Sequence, residues 1–139
     1  MKTRMDRLFE RIESNGLESL TLSERSAFAI VWLFRETNNG GLDQFFFNDA
    51  GKLAPDALRG LVLFGAPATA NILRQAISIF PESEVPFDLK QRRDFLCDSM
   101  TDEHKELLDK LTTEFFESPE PVSDMVQSYI ENHPDEFPT

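Results

Sequence analysis

The stretch from Trp32 to Gly51 reads WLFRETNNGGLDQFFFNDAG, and it decides how the chain is interpreted. Two consecutive glycines, Gly40 and Gly41, interrupt a helical pattern, and residues 42–48 form the next helix. Gly51 is predicted to terminate this segment in the left-handed conformation. At least two of the three phenylalanines at 45–47 are predicted to be buried, because an exposed apolar run promotes aggregation. The stretch therefore predicts two helices joined by a sharp turn.

The residues before this stretch predict two further helical features. Thr21-Leu22-Ser23-Glu24 has the form of a capping box, and the apolar residues between Ala27 and Phe34 cover most of a helix circumference. This helix is predicted to be the buried centre of the fold. A first amphipathic helix over residues 3–14 is predicted from apolar residues at helical spacing, namely Met5, Leu8, Phe9 and Ile12.

The residues after the stretch continue in helical patterns to the end of the chain. Pro55 and Pro67 fit the first turns of two helices, which extend to about residues 64 and 80. Further helices are predicted at roughly 88–97, 102–117 and 121–133. No alternating run of β-branched residues is present in the sequence. We therefore predict an all-α fold, with residues 1–139 forming a compact single-domain bundle of about seven to eight short helices.

The charge of the chain is concentrated in its C-terminal part. Residues 1–81 contain nine acidic and nine basic residues, whereas residues 82–139 contain sixteen acidic and five basic residues, which gives the net charge of −11. A field of one sign attracts partners of the opposite sign, so a basic protein surface is the expected partner. Direct binding of nucleic acid or of an anionic membrane is disfavoured, because both need a basic patch. The alternative interpretation is that the acidic surface only maintains solubility.

Acidic residues recur at helical spacing in the predicted helix 102–117. Like charges at these spacings slightly destabilise a helix, so they favour a use beyond folding, although a solvated face explains them without any partner. The candidate partner-binding residues are Asp98, Asp102, Glu103, Glu106, Asp109, Glu114 and Glu117. One such helix has about one charge per 5 Å, against roughly 3.4 Å in a strand of B-DNA. Two or three adjacent faces, or a dimer, would approach the density of DNA.

The stretch quoted above resembles the signature of a bacterial helical family whose characterised member is a DNA mimic. The signature contains Glu, Asn-Gly-Gly, a Gln followed by two aromatic residues, then Asn and Gly. The matching residues are Glu36, Asn38, Asn39, Gly40, Gly41, Gln44, Phe45, Phe46, Asn48 and Gly51. Leu42 replaces the phenylalanine that the family favours. The resemblance implies an acidic helical homodimer that binds a transcription factor in place of DNA.

The motif has a structural and a functional interpretation. In the structural one, the glycines make a turn, Gln44 and Asn48 satisfy backbone groups at helix ends, and the aromatic residues fill the core. In the functional one, Glu36, Asn38, Asn39 and Gln44 form a polar pocket for a small ligand. The structural interpretation is favoured, because satisfied polar groups near turns are common.

No sequence motif of a known catalytic site is present, so we predict a protein without enzymatic activity or a cofactor. Cys97 and His104 could form a thiolate pair, but Cys97 is predicted to be a packed core residue. A divalent cation at Asp98, Asp102 and Glu106 is a weaker alternative, and no metal is expected. The N-terminus has no signal or anchor pattern, which predicts a cytoplasmic protein.

The predicted function is to bind a basic DNA-binding protein, such as a transcription factor, and to compete with DNA. An adaptor that does not imitate DNA is the alternative.

Overall fold

A computed structural model describes residues 2–138, and most of this range is helical. The seven α-helices are α1 (Arg4–Asn15), α2 (Leu22–Phe47), α3 (Ala54–Leu63), α4 (Pro67–Ile77), α5 (Leu89–Asp94), α6 (Asp102–Glu117) and α7 (Val122–Asn132). Short 3₁₀ turns lie at Leu17–Ser19, Asp49–Leu53 and Pro81–Ser83, and a π-helical turn follows α5 at Phe95–Ser99. Residues 2–138 contain no β-strand. The predicted all-α fold is confirmed.

The predicted capping box at the start of α2 is confirmed. The Thr21 hydroxyl accepts a hydrogen bond from the Glu24 backbone N–H at 3.1 Å, and the Glu24 carboxylate accepts one from the Thr21 N–H at 2.8 Å. Two backbone donors that lack a partner within the helix are thereby satisfied. Thr3 and Asp6 form the same reciprocal arrangement at the start of α1.

Helix α2 is the centre of the fold and changes direction at the two glycines. Ala27, Leu33 and Leu42 have no exposed surface. Gly41 has φ +85°, a left-handed conformation that glycine adopts without the steric cost of a Cβ atom. The predicted helix after this break is confirmed, and so is the burial of two phenylalanines: Phe45 and Phe46 are fully buried, whereas Phe47 is 40% exposed.

Aromatic contacts join the parts of the chain on either side of Pro81. The ring of Phe80 lies 5.1 Å from that of Phe46 and 5.0 Å from that of Phe95, measured between centroids. Phe34 of α2 contacts Phe115 of α6 at 4.7 Å. Aromatic pairs at these separations stabilise a core beyond the area that they bury. The neutral and acidic segments therefore share one hydrophobic core.

Gly51 does not adopt the left-handed conformation predicted for it, because the positive-φ glycines are Gly16, Gly41 and Gly65. The reason for a glycine at this position is close approach. A Cβ atom at residue 51 would lie 2.7 Å from the Phe46 carbonyl oxygen and 2.7 Å from Nε of Arg92. Gly51 thus leaves space for the side chain of Arg92 beside the end of α2.

Candidate functional site

The orientation of α6 separates its apolar residues from its acidic ones. Leu108, Leu111 and Phe115 are buried and fix the inward face of the helix. Because successive residues turn by about 100°, the opposite side presents four carboxylates that extend over about 22 Å along the helix. We call these residues the acidic stripe: Asp102, Glu106, Asp109 and Glu117. Glu103 and Glu114 flank the stripe on one side.

Most of the predicted partner-binding acids have no partner among the described residues. Asp98, Asp102, Glu103, Glu106, Asp109 and Glu117 are exposed, and within residues 2–138 none of their carboxylates forms a hydrogen bond or an ion pair. Glu114 is half-buried, and its carboxylate lies 3.9 Å from the Lys110 ammonium. Asp98 is in the π-helical turn before α6 and does not belong to the stripe. The stripe and Glu103 are therefore free to bind an external cation.

Two other acids of the C-terminal part have structural roles. Glu120 accepts hydrogen bonds from the backbone N–H groups of Ala68 and Thr69, at 2.9 and 2.7 Å, and from the Thr69 hydroxyl at 2.6 Å. Burial acts to raise the pKa of Glu120, but these hydrogen bonds outweigh it and lower the pKa below its usual value. Glu120 thus caps the N-terminus of α4.

Glu136 is also bound within the protein. Its carboxylate accepts a hydrogen bond from the Ser23 hydroxyl at 2.5 Å and from the Tyr129 hydroxyl at 2.9 Å. The hydrogen bonds from Ser23 and Tyr129 lower the pKa of Glu136. The free acidic surface is consequently smaller than the charge of residues 82–139 suggests.

Asp43 adds to the acidic surface, although it was not among the predicted residues. It is half-buried, and this burial, together with the nearby charge of Asp109, raises the pKa of its carboxyl group. The following contact explains its position: the Leu42 backbone N–H donates to the Thr112 hydroxyl of α6 at 3.1 Å. The glycine turn is therefore attached to α6 beside the acidic stripe.

The polar residues of the motif form a cluster around Glu36. Oε2 of Glu36 accepts hydrogen bonds from the side-chain amides of Gln44, at 2.8 Å, and Asn48, at 2.9 Å. Gln44 and Asn48 therefore orient a carboxylate, in place of the predicted contacts with backbone groups. Asn38 and Asn39 are exposed, and Asn38 borders a different hollow. The predicted pocket of Glu36, Asn38, Asn39 and Gln44 is not formed.

The backbone carbonyls at the end of α2 accept hydrogen bonds from Arg92, for which the sequence predicted no role. Arg92 is fully buried and donates to the carbonyl oxygens of Phe46 at 2.6 Å, Asn48 at 2.8 Å and Pro86 at 3.0 Å. Burial lowers the pKa of Arg92. No carboxylate in the described range forms an ion pair with it. The negative end of the α2 dipole and these carbonyls stabilise its charge.

The candidates for catalysis and metal binding are not brought together. Cys97 is exposed, so its prediction as a packed core residue was wrong. Nδ1 of His104 accepts a hydrogen bond from the Thr101 backbone N–H at the start of α6, and within residues 2–138 it has no hydrogen bond to Cys97. Among the described residues, no three His, Cys, Asp or Glu side chains are placed to share a metal ion. The same range contains no helix with the length and hydropathy needed to cross a membrane.

The fold and the surface together define an acidic, all-helical protein with a row of free carboxylates on one helix. The chain belongs to the DMP19-like protein family, since the model of that family matches residues 18–133. The matched range contains the whole glycine motif and α2 to α7. No curated protein and no solved structure matches the chain significantly.

Proposed function

We propose that this chain is a DNA mimic that binds the DNA-binding surface of a basic protein, such as a transcription factor, and competes with DNA there. The observation that carries the proposal is the row of free carboxylates on α6. A carboxylate that already forms an ion pair within its own protein contributes little to the binding of a partner. The acids of the stripe have none in the described part of the chain, so lysine and arginine side chains of a partner can take that place.

The spacing of the charges supports the same function when two copies of the chain associate. With its flanking acids, α6 has one carboxylate per roughly 4–5 Å, whereas a strand of B-DNA has one phosphate per roughly 3.4 Å. The charge density of one helix is therefore too low to replace a DNA duplex. A homodimer that places two stripes side by side would present a charge density closer to that of DNA, and we include it in the proposal.

Membership of the DMP19-like family supports the proposal from an independent direction. The sequence resemblance associates the glycine motif with a DNA mimic, although none of the acids of the stripe belongs to the motif. The structure suggests a division of roles, because the glycine turn contacts α6 through Leu42 and Thr112. The motif positions the helix, and the stripe provides the charges.

A charge-neutralised variant tests the proposal. Glu103, Glu106, Asp109, Glu114 and Glu117 are replaced together by Gln or Asn, because exposed pairs contribute only about 0–1 kcal/mol each. The parent and the variant are immobilised and exposed to a lysate of the source organism. A partner retained by the parent is then purified, and its association rate is measured at several salt concentrations. We expect the variant to associate at least tenfold more slowly and with a weaker salt dependence.

A control variant with the same net charge separates the position of the charges from their number. Glu13, Glu18, Asp124, Glu131 and Asp135 are exposed, and within the described residues their side chains have no partner. Their neutralisation should leave the association rate within about threefold of the parent value. Specific DNA should displace the partner from the parent protein. A stable ternary complex of chain, partner and DNA would contradict mimicry and favour the adaptor alternative.

A further inference from the structure

A hollow of about 440 Å³ lies on a part of the molecule that the proposed function does not use. It is formed by α1, the turn at Leu17–Ser19, the middle of α2 and the segment after Phe47, and no residue of α6 lines it. Its apolar wall includes Phe28 and Trp32, whose rings pack edge to face at 6.3 Å. Hollows of this size with a mostly apolar lining and a few polar groups are typical of sites for small ligands.

Glu36 is one of the residues that line this hollow, and its carboxylate is held in place by two residues of the family motif. Gln44 and Asn48 both donate to Oε2, so this oxygen is fixed from two directions. Within residues 2–138, Oε1 has no hydrogen bond and no cation forms an ion pair with the carboxylate. Glu36 therefore presents one oriented oxygen that still lacks a donor.

The other charged groups of the hollow leave its net charge negative. The ammonium of Lys52 lies 3.3 Å from the Asp49 carboxylate, so these two side chains largely compensate each other. Both line the hollow together with Glu36. The remaining charge is that of Glu36, which disfavours an anionic ligand and favours a cationic one.

We propose that this hollow binds a small organic cation, specifically an ammonium group attached to an aromatic or aliphatic body. The ammonium donates to Oε1 of Glu36, and the apolar body packs against Trp32 and Phe28. A charge-assisted hydrogen bond provides orientation, and burial of the apolar body provides affinity. The Arg35 guanidinium already lies 5.3 Å from the centroid of the Trp32 ring, so the ammonium is assigned to the carboxylate and not to the indole ring. Gln44 and Asn48 are positioning residues, since they act on the ligand only through Glu36.

Trp32 is the only tryptophan of the chain, so its fluorescence reports on the hollow directly. The probe is 2-phenylethylammonium chloride, titrated at constant ionic strength. A ligand of this size is expected to bind with a dissociation constant of about 10 mM or below. Ethylammonium, which lacks the ring, and 3-phenylpropionate, which carries the opposite charge, should each bind at least tenfold more weakly. This comparison uses the parent protein alone.

The Glu36→Gln variant tests the role of the carboxylate. A glutamine can place its carbonyl oxygen where Oε2 lies, so both amides keep an acceptor and the fold is preserved, which a thermal unfolding curve verifies. We expect about a tenfold loss of affinity for 2-phenylethylammonium. Glu103→Gln, which removes the same charge from α6, should leave this affinity unchanged. The proposal is overturned if the parent gives no saturable response, if phenylpropionate binds equally well, or if the Glu36 variant binds like the parent.

Discussion

The carboxylates on either side of Pro81 differ in what they contact. In residues 1–81 most of them are bound within the protein: Glu24 pairs with Arg11, and Asp56 lies 3.1 Å from Arg25 and 2.6 Å from Arg59. In residues 82–139 the acids of the stripe on α6 have no such partner in the described part of the chain. Glu24 and Asp56 therefore contribute to folding, whereas the acids of the stripe are exposed.

The position of a carboxylate in the fold predicts its role better than the net charge of its segment. Glu120 and Glu136 belong to the acidic segment but lie at junctions between elements, where they are bound by backbone and hydroxyl donors. The acids of the stripe share the outward face of α6, whereas other exposed acids without a partner in the described residues, such as Glu13 on α1 and Glu131 on α7, lie on different elements. The candidate functional surface is therefore smaller than the surface of residues 82–139 as a whole.

The largest effect on stability is expected at Arg92. This cation belongs to residues 82–139 and stabilises the end of α2, which belongs to residues 1–81. Arg92→Met keeps the apolar stem but removes the donors to the carbonyls of Phe46, Asn48 and Pro86. Buried carbonyls without a donor are costly, so we expect the free energy of unfolding to fall by about 3 kcal/mol or more. Chemical denaturation at neutral pH measures this change.

Arg93→Met is the matched control for Arg92. The Arg93 side chain forms one hydrogen bond to the Phe47 carbonyl, at 2.8 Å, and packs over the exposed ring of Phe47. Its replacement should cost about 1 kcal/mol. Equal losses in the two variants would show that Arg92 does not join the two segments in the way that its contacts indicate.

Local sequence patterns predicted most of the fold. The capping box at Thr21 and Glu24, the break at Gly41 and the burial of Phe45 and Phe46 each depend on residues within a few positions of one another. Such features follow from backbone geometry and from the period of the helix. The predicted helices differ from the observed ones by only a few residues at their ends. The exception is the helix predicted at 88–97, where α5 ends at Asp94 and a π-helical turn follows.

The residues that join distant parts of the chain were not predicted. Arg92 contacts Phe46, and Thr112 contacts Leu42, so each pair is separated by more than forty positions and no local period reveals it. Gly51 is the one local signal of Arg92, but a glycine at this position equally predicts a helix terminator. The local pattern around Asp43 predicts only a short helix, because the proximity of Asp43 to Asp109 arises from tertiary packing.

An intermediate effect is expected when the bound acid Glu120 is compared with the free acid Glu117. Glu120→Gln weakens the cap on Ala68 and Thr69, and we expect a loss of about 1–2 kcal/mol at neutral pH. Folding lowers the pKa of Glu120 from its ordinary 4.5. Its stabilising contribution is therefore complete above that value and is lost as the pH falls through the lower pKa of the folded state. Unfolding curves at pH 7 and pH 3 should show a smaller difference between parent and variant at pH 3.

Glu117→Gln is the same substitution on the acidic stripe. Glu117 is the last residue of α6, where a negative charge opposes the helix dipole. Its removal should raise the free energy of unfolding by a few tenths of a kcal/mol. A loss comparable to that of Glu120→Gln would mean that Glu117 has a structural partner, and the distinction between bound and free acids would not hold at this position.

A small effect is also expected at Asp43, which is intermediate between the bound and the free acids because it is half-buried and forms no ion pair in the described part of the chain. Burial, and to a lesser extent the charge of Asp109, raise the pKa of its carboxyl group above the ordinary 3.8. The ionised form is therefore less stable in the folded state than in the unfolded chain, and the cost disappears as the pH falls through the raised pKa. Asp43→Asn removes the charge and retains an oxygen that can accept from the backbone, so it should stabilise the protein at pH 7 by less than about 1 kcal/mol. The gain should vanish near pH 3, where both the Asp43 carboxyl group and the amide of the variant are neutral.

The double variant with Asp109→Asn should gain less stability than the sum of the single variants, because the repulsion between the two charges is removed only once. Additive gains in stability would show that Asp43 has no electrostatic interaction with the acidic stripe. Asp43 would then be excluded from the surface that we propose binds the partner.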